Sequence, residues 1–180
     1  TIDAARDATE VDWVVVSTDD PEIAQVAALA GAQVVIRPQS LASDLSTSES
    51  ALLHTLERLE EEHGVCPELT VFLQCTSPLT TGFDIDETVR ALKDAGADSA
   101  LAVAPCHQFL WRQADKGRCT GINHDHRIRQ RRQDREAEYV ETGAVYVMKT
   151  EGLKASGHRF FGSIAMHVMP RERVWEIDEP

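Results

Sequence analysis

Residues 11–37, VDWVVVSTDDPEIAQVAALAGAQVVIR, contain two β-branched runs on either side of a helix-like segment. The first run, residues 11–17, lacks polar alternation, which is typical of a parallel strand buried on both faces. Asp20 can cap the helix that follows, and Gly31 stands where a left-handed residue would end it. Residues 32–37 form a second strand, so the segment predicts a right-handed βαβ unit. The apolar face predicted for its helix consists of Ile23, Val26, Ala27 and Ala30.

The alternation of strands and helices continues after this unit. Ser46 and Glu49 have the spacing of a capping box, and the leucines after them predict an amphipathic helix. Further strands are predicted at residues 70–74, 99–105, 142–148 and 165–169. This order of elements predicts a single α/β domain over residues 1–180, with an open, mostly parallel sheet. Residues 106–138 interrupt the pattern with a polar excursion.

Composition restricts the class of protein. The chain has 180 residues, of which 42% are hydrophobic, enough for one sizeable core. Its 18 basic and 30 acidic side chains give a net charge of −12, which repels nucleic acid and anionic lipid. No apolar run approaches the roughly 20 residues that cross a bilayer. The charge and the short apolar runs therefore predict no nucleic-acid or membrane partner. The four cysteines lack metal-site spacing, so we expect a cytoplasmic protein with free thiols.

Polar residues follow the predicted strands at the edge of the sheet where ligands bind in open parallel sheets. Arg37, Asp44 and Ser48 lie between the second strand and the next helix. Fixed donors at that place could contact a planar polar group such as a nucleobase. Gln74 follows the third strand, where its amide must find protein partners or a ligand. Two simpler interpretations stay open, namely that Arg37 only pairs with Asp44 or caps a helix, and that residues 76–78 only form a turn.

Seven short strings occur along the chain: STDD at Ser17, RPQSLASD at Arg37, STSES at Ser46, LQCTSPL at Leu73, RRQD at Arg131, ETGAVYVM at Glu141 and EIDEP at Glu176. In this order they resemble the acylneuraminate cytidylyltransferase family, which makes CMP-activated sialic acids. The resemblance covers nearly the whole chain. It implies a Rossmann-like fold of the nucleotide-diphospho-sugar transferase type. It also implies transfer of CMP from CTP to the anomeric hydroxyl of a nonulosonic acid, with release of pyrophosphate.

The resemblance also implies roles for individual residues. Nucleotide contacts fall to Arg37, Ser48 and Gln74, with Asp44 shaping their loop. The residues expected to contact the sugar acid are Gln74, Arg132, Gln133, Tyr146, Phe160 and Phe161. Catalytic positions are Gln74, Arg132 and Asp178, with Gln74 as an orienting group because an amide takes no proton near neutral pH. The expected Mg²⁺ ligands are Asp178 and Glu176, at positions where the family has two aspartates. Two acids separated by one residue on a strand project from the same side, and their carboxylates suit a hard cation. Two solvated acids are the alternative.

The polar excursion at residues 106–138 has too little apolar content to fold by itself. By resemblance it crosses to a second subunit, which predicts a homodimer in which Arg132 or its neighbours complete the partner's sugar site. Its basic residues allow a nucleic-acid interpretation, which the acidic chain and the lack of interleaved aromatics disfavour. A metal site at residues 124–126 is a further alternative, although adjacent ligands of this kind usually lie in an exposed loop.

The chain departs from the family at its ends. Family members open with a strand and a basic, glycine-containing loop that wraps the CTP triphosphate, and no such string precedes Thr1. We therefore expect a chain that lacks this strand and loop and the C-terminal helix. Two other functions stay open. One is a 3-deoxy-manno-octulosonate cytidylyltransferase, and the other is a noncatalytic nucleotide-binding or assembly domain.

Overall fold

The computed structural model describes residues 1–43 and 45–177, so Asp44 and Asp178 lie outside the described residues. The helices are α1 (Ile2–Asp7), α2 (Pro21–Leu29), α3 (Ser48–His63), α4 (Gly82–Ala95) and α5 (Thr150–Ser156). The strands are β1 (Val15–Thr18), β2 (Gln33–Ile36), β3 (Leu69–Leu73), β4 (Ser99–Cys106), β5 (Trp111–Gln113), β6 (Cys119–Gly121), β7 (Glu138–Lys149) and β8 (Ile164–Val168).

The predicted βαβ unit is confirmed. β1 and β2 pair in parallel on either side of α2. The carboxylate of Asp20 accepts hydrogen bonds from two backbone N–H groups of the first helical turn, and Pro21 is the first helical residue. Gly31 follows the helix with φ of 83°, a backbone conformation that glycine adopts without steric cost. The first strand is shorter than predicted, because it begins at Val15.

The apolar face predicted for α2 is only partly buried. Ala27 is buried, whereas the side chains of Ile23 and Val26 are exposed. A sheet of two strands covers a narrow stripe of the helix, and the small alanine side chain occupies that stripe. Periodicity alone therefore overestimated the buried surface of this helix.

The central sheet has the strand order β3, β7, β4, β8. β3 and β4 are each antiparallel to β7, and β8 is parallel to β4. Three of the four strands therefore run in one direction, which agrees with a mostly parallel sheet, and β7 is reversed. The reversal was not predicted, since it depends on the long connection between β4 and β7 rather than on local sequence.

Helices cover both faces of this sheet. The side chains of β7 alternate between the two faces, so this strand contributes to two cores. Val145 and Val147 point toward α1 and α4 and join one cluster of buried residues. Tyr146 and Met148 point the other way, toward a second cluster that contains Leu56 of α3 together with residues of α5. The result is a three-layer α/β/α arrangement with the aromatic face of the sheet under α3 and α5.

The predicted capping box at Ser46 and Glu49 is wrong. Thr47 caps α3, because its side-chain oxygen accepts a hydrogen bond from the N–H of Ser50 at 3.2 Å. The hydroxyl of Ser46 instead lies 2.9 Å from that of Ser43. Glu49 is therefore free to make a contact outside its own helix.

The polar excursion is confirmed as a departure from the sheet. Its two short strands, β5 and β6, form an antiparallel hairpin whose residues are mostly exposed. The four cysteines of the chain are free. Within residues 1–43 and 45–177, no helix combines the length and the apolar character needed to span a membrane.

Candidate functional site

The C-terminal segment returns to the loop that follows β3. The N–H of Ile177 donates a hydrogen bond to the carbonyl of Thr76 at 2.9 Å. Gly143 of β7 has φ of 66°, and the register between β4 and β7 shifts around it. A Cβ atom built on Gly143 would lie 2.0 Å from Oε1 of Glu176 and 3.1 Å from Oε1 of Gln74. The oxygens of Gln74 and Glu176 thus converge on a glycine whose positive φ and close neighbours disfavour a larger residue.

A buried ion pair anchors the same C-terminal segment to α4. Nη2 of Arg173 donates to Oδ1 of Asp84 at 2.5 Å, and Oγ1 of Thr81 donates to Oδ2 at 2.6 Å. Burial of Asp84 alone would raise its pKa, but the hydrogen bonds from Arg173 and Thr81 outweigh burial and hold the pKa below 3.8. Asp84 therefore stays charged and fixes the segment that carries Glu176.

An aromatic cluster lies on the face of the sheet under α3. The rings of Phe72 and Tyr146, which are opposite each other in β3 and β7, stack with centroids 5.8 Å apart. Phe160 meets Tyr146 edge-on at 5.9 Å. Burial, together with a hydrogen bond to Glu141, raises the pKa of Tyr146. The phenol therefore stays protonated across the physiological pH range, and it donates its proton to Oε1 of Glu141.

Arg159 covers this aromatic cluster. Its guanidinium carbon lies 4.7 Å from the ring centroid of Tyr146 and 5.1 Å from that of Phe72. Nε donates to Oε1 of Glu49 at 2.7 Å, and Nη2 donates to the hydroxyl of Ser48. Burial alone would raise the pKa of Glu49, but the contacts with Arg159 lower it overall. The start of α3 is thereby joined to the aromatic cluster by a charged pair.

Phe161 occupies a hollow left by a glycine of α5. A Cβ atom built on Gly152 would lie 1.9 Å from Cε2 of Phe161. Phe160 and Phe161 are partly buried and pack against the core that contains Met148 and Leu153. Packing of Phe161 thus positions the neighbouring Phe160 beside Tyr146.

Gln74 lies one residue beyond the end of β3, the strand that carries Phe72 of the aromatic cluster. Phe72 and Gln74 are two positions apart, so their side chains project from the same side if the pleat of β3 continues one residue beyond its end. The spacing of about 3.3 Å per strand residue puts them roughly 7 Å apart along the strand. The strand spacing therefore favours a position for Gln74 beside the aromatic cluster, at the carboxyl end of β3.

Polar atoms without protein partners lie at the ends of β1 and β2. Nη2 of Arg37 is 3.7 Å from Oδ1 of Asp19, whereas Nε of Arg37 is buried. Within the described ranges, this Nε and the buried hydroxyl of Ser17 have no hydrogen-bond partner. Because buried polar groups in native proteins usually find partners, these two atoms make the ends of β1 and β2 a candidate ligand site. The pairing of Arg37 with Asp44 lies outside the described residues.

The structure does not bring Arg132 and Gln133 to the aromatic cluster. Both lie exposed in the short 3-10 turn Arg132–Asp134 of the polar excursion. In the part of the chain that is described, neither side chain forms a hydrogen bond or ion pair with Gln74, Tyr146 or another residue predicted for the sugar site.

The alternative metal site at residues 124–126 gains no support from the geometry. Asp125 is held by Arg127, whose side-chain and backbone hydrogen bonds lower the pKa of that carboxyl to about 2. The ring of His124 packs edge-on against Phe109 and Trp111, at 4.7 and 4.9 Å. Residues 1–43 and 45–177 contain no group of three or more His, Cys, Asp or Glu side chains that could hold a metal ion.

Sequence reasoning missed Arg159, Arg173, Asp84 and Gly143. Arg159 directly precedes the predicted Phe160 and Phe161, and Asp84 forms a true capping box with Thr81. These local signals were present in the sequence. Their partners lie far away in the chain, so the pairs themselves were not visible.

The chain is similar in sequence to known proteins. The model of the family described as Cytidylyltransferase matches residues 1–165. N-acylneuraminate cytidylyltransferase B of Danio rerio is 34% identical over 175 residues, which cover 94% of this chain and 40% of that relative. N-acylneuraminate cytidylyltransferase of Oncorhynchus mykiss is 34% identical over 149 residues, covering 80% of this chain and 33% of that relative. The chain therefore spans less than half the length of these curated relatives.

Two solved structures share the fold. A CMP:2-keto-3-deoxy-manno-octonic acid synthetase complexed with CTP superposes with a TM-score of 0.61 at 14% identity, over 93% of this chain and 76% of that one. The 4-diphosphocytidyl-2C-methyl-D-erythritol synthase of Anaerococcus prevotii gives a TM-score of 0.68 at 10% identity, over 99% and 78%. At these identities the likeness concerns the fold alone.

Proposed function

This chain belongs to the cytidylyltransferase family, and from that membership we propose that it transfers CMP from CTP to the anomeric hydroxyl of a nonulosonic acid. The convergence of Gln74 and Glu176 on Gly143 carries this proposal. It lies beyond the carboxyl end of β3, where α/β sheets commonly bind nucleotides. The 34% identity to proteins named N-acylneuraminate cytidylyltransferase supports a sialic-type acceptor.

The nucleotide subsite in this proposal extends from β2 to the start of α3. Arg37 offers its buried Nε, and Ser48 offers a hydroxyl at the first residue of α3. Gln74 would lie between the nucleotide and the sugar acid. Asp44, proposed to shape the loop between Arg37 and Ser48, lies outside the described residues.

Glu176 and Asp178 would hold Mg²⁺ at the place where the side chains of Glu176 and Gln74 approach Gly143. Oε1 of Glu176 faces the same glycine as Oε1 of Gln74. Carboxylate and amide oxygens are suitable neighbours for a hard cation that uses one or two carboxylates and substrate phosphates. When bound there, the ion would neutralise charge on the triphosphate. Asp178 lies outside the described residues.

The sugar subsite would combine residues of two subunits. Tyr146, Phe160 and Phe161 supply its apolar side from this chain, and Arg132 and Gln133 would come from a partner. A guanidinium suits the sugar carboxylate, because it forms two parallel charged hydrogen bonds. The excursion exposes large apolar side chains that a partner would cover, among them Leu110, Trp111, Ile122 and Ile128. A fully active monomer in analytical ultracentrifugation would contradict the proposed homodimer.

The proposed reaction requires few covalent roles from the protein. The oxygen of the anomeric hydroxyl attacks the α-phosphorus and its proton passes to solvent. The bond between the α-phosphorus and the oxygen that bridges to the β-phosphorus breaks, and pyrophosphate leaves with that electron pair. Gln74 orients the reactants through its amide, and the hydrogen bonds of the two subsites hold the sugar acid and nucleotide in line. Positioning and electrostatic stabilisation account for most of the rate in such transfers.

Calorimetric titration of the full-length protein with CTP tests the nucleotide site. We expect Mg²⁺-dependent binding that Glu176→Gln weakens at least roughly tenfold. Glu172→Gln is the matched control, because Glu172 is exposed in the same segment. Equal CTP affinity with and without Mg²⁺, or in Glu176→Gln, would contradict the assignment.

Addition of acceptors to the CTP complex separates the competing functions. Pyrophosphate release with a sialic acid supports the proposal, and release only with 3-deoxy-manno-octulosonate supports the alternative acceptor. Binding of CTP without turnover of either acid supports a noncatalytic domain. No feature of the described residues favours either alternative.

A further inference from the structure

Arg159 connects two segments that are far apart in the chain. Glu49 and Ser48 lie at the start of α3, 110 and 111 residues away. The side chains of Arg159 and Glu49 are 16% and 12% exposed, so the pair is largely removed from water. Burial lowers the pKa of Arg159, but Glu49 outweighs this and raises the pKa overall. Both groups therefore stay charged and paired.

The contact with Arg159 restricts the hydrogen-bonding role of Ser48. The hydroxyl accepts from Nη2 of Arg159, which has no acceptor capacity of its own. The single hydroxyl proton of Ser48 must then go to another atom. Its partner in the structure is Oε2 of Glu49, at the long distance of 3.3 Å. Because a hydroxyl that accepts from a cation becomes a stronger donor, Ser48 is prepared to donate to a ligand acceptor.

The other side of Arg159 supports the aromatic cluster. Its guanidinium lies over both Tyr146 and Phe72, and Phe160 follows it directly in the chain. Because Glu49 already neutralises this guanidinium, Arg159 is a poor receptor for a substrate carboxylate. Its contribution on this side is to hold the rings in place.

We propose that Arg159 is a positioning residue that couples the two subsites: it sets Ser48 as a hydrogen-bond donor toward the nucleotide and holds Tyr146 toward the sugar acid. This inference rests on the function proposed above. The acceptor on the nucleotide side is an oxygen or ring nitrogen of the cytidine moiety. Neither substrate contacts Arg159 itself.

Steady-state kinetics of the full-length protein with Arg159→Met test this coupling. We expect KM to rise roughly tenfold or more for both CTP and the sugar acid, with a smaller change in kcat, because a hydrogen bond to a charged group is lost on one side and ring placement on the other. Arg159→Lys keeps the charge without the planar fork, so it should restore part of the affinity. Arg58→Met is the matched control, since Arg58 lies in α3 and forms exposed pairs there with Glu61 and Glu62.

The double variant Ser48→Ala with Arg159→Met separates coupling from a general structural role. If Arg159 acts on CTP through Ser48, the second substitution adds little to the KM for CTP but still raises that for the sugar acid. Additive effects on CTP, or a change for only one substrate, would overturn the coupling while leaving the proposed function intact. Calorimetry that detects binding of neither substrate to the wild type would overturn both.

Discussion

Arginine–carboxylate pairs occur in two contrasting regions of this chain. Around the candidate site, Arg159 pairs with Glu49 and Arg173 pairs with Asp84, across 110 and 89 residues of sequence. In the polar excursion, Arg127 pairs with Asp125 and Arg131 pairs with Asp134, only two and three residues apart. The site pairs are largely buried, whereas the side chains of Arg127 and Asp125 are 78% and 39% exposed.

The difference shows what each kind of pair can do. A buried pair across distant segments fixes tertiary geometry, and loss of one partner leaves an uncompensated charge. An exposed pair between near neighbours adds little stability, because water screens it and the unfolded chain can form it too. The same chemistry therefore fixes tertiary geometry in the distant, buried pairs and contributes little in the exposed local pairs of Arg127 and Arg131.

The largest expected effect is the removal of the Arg173 guanidinium. Arg173→Met leaves the fully buried Asp84 without its main partner, so we expect the free energy of unfolding to fall by about 3 kcal/mol. This corresponds to a drop in Tm of roughly 6–12 °C for a chain of this size. Urea denaturation and calorimetry measure both quantities.

Arg131→Met provides the control from the excursion. We expect this variant to change the free energy of unfolding by less than about 0.5 kcal/mol. Similar losses in Arg173→Met and Arg131→Met would break the contrast between the two regions.

A smaller effect concerns packing at the site rather than charge. Gly152→Ala improves helix propensity by about 1 kcal/mol, yet its Cβ would collide with Phe161. Overpacking costs about 1–3 kcal/mol, so we expect net destabilisation of about 1 kcal/mol and a changed near-ultraviolet circular dichroism spectrum.

Ala155→Gly in the same helix separates packing from propensity. Ala155 is exposed, so this variant should lose about 0.5–1 kcal/mol with an unchanged near-ultraviolet spectrum. A Gly152→Ala protein more stable than the wild type would show that Phe161 has space to move.

The smallest expected effect is a difference in acid stability between two carboxylates. The pKa of Asp98 is lowered from 3.8 to about 2, first by the backbone N–H of Ser163 and then by Lys149. Because its folded pKa is depressed, the stabilisation from Asp98 is present above pH 3.8 and lost as pH falls toward 2. Asp98→Asn should therefore flatten the stability profile in this window, measured by denaturation at a series of pH values.

Asp125 sharpens the same test, since its pKa is also lowered to about 2. Its partner Arg127 is only two residues away, so the pairing can persist in the unfolded chain, and the folded and unfolded pKa values then differ little. Asp125→Asn should leave the profile unchanged. Equal flattening in both variants would contradict the distinction between distant and local pairs.

Local sequence predicted most of the fold and part of the site. The β-branched runs located β1 and β2, apolar runs located β3 and β4, and the polar residues after these strands indicated Gln74 and Arg37. The family resemblance indicated Tyr146 and Phe160, which the structure brings together in one cluster. Ser48 is joined to that cluster through Arg159.

The remaining features depend on distances in space that local patterns do not contain. Glu49 was assigned to a capping box, because the spacing to Ser46 is local, whereas its partner Arg159 lies 110 residues away. The approach of Glu176 to Gly143 likewise requires the bulge in β7 and the return of the C-terminal segment. Such contacts form only when the sheet has assembled.

Pyrophosphate release from CTP by the full-length protein, with and without a sialic acid, tests the proposed site most directly. We predict release that requires the sugar acid and falls roughly 100-fold or more in kcat/KM for Gln74→Ala, because misplacement of reactants by about 1 Å has this cost. Release that does not depend on the sugar acid, or undiminished turnover in Gln74→Ala, would contradict a cytidylyl-transfer site at the carboxyl end of β3.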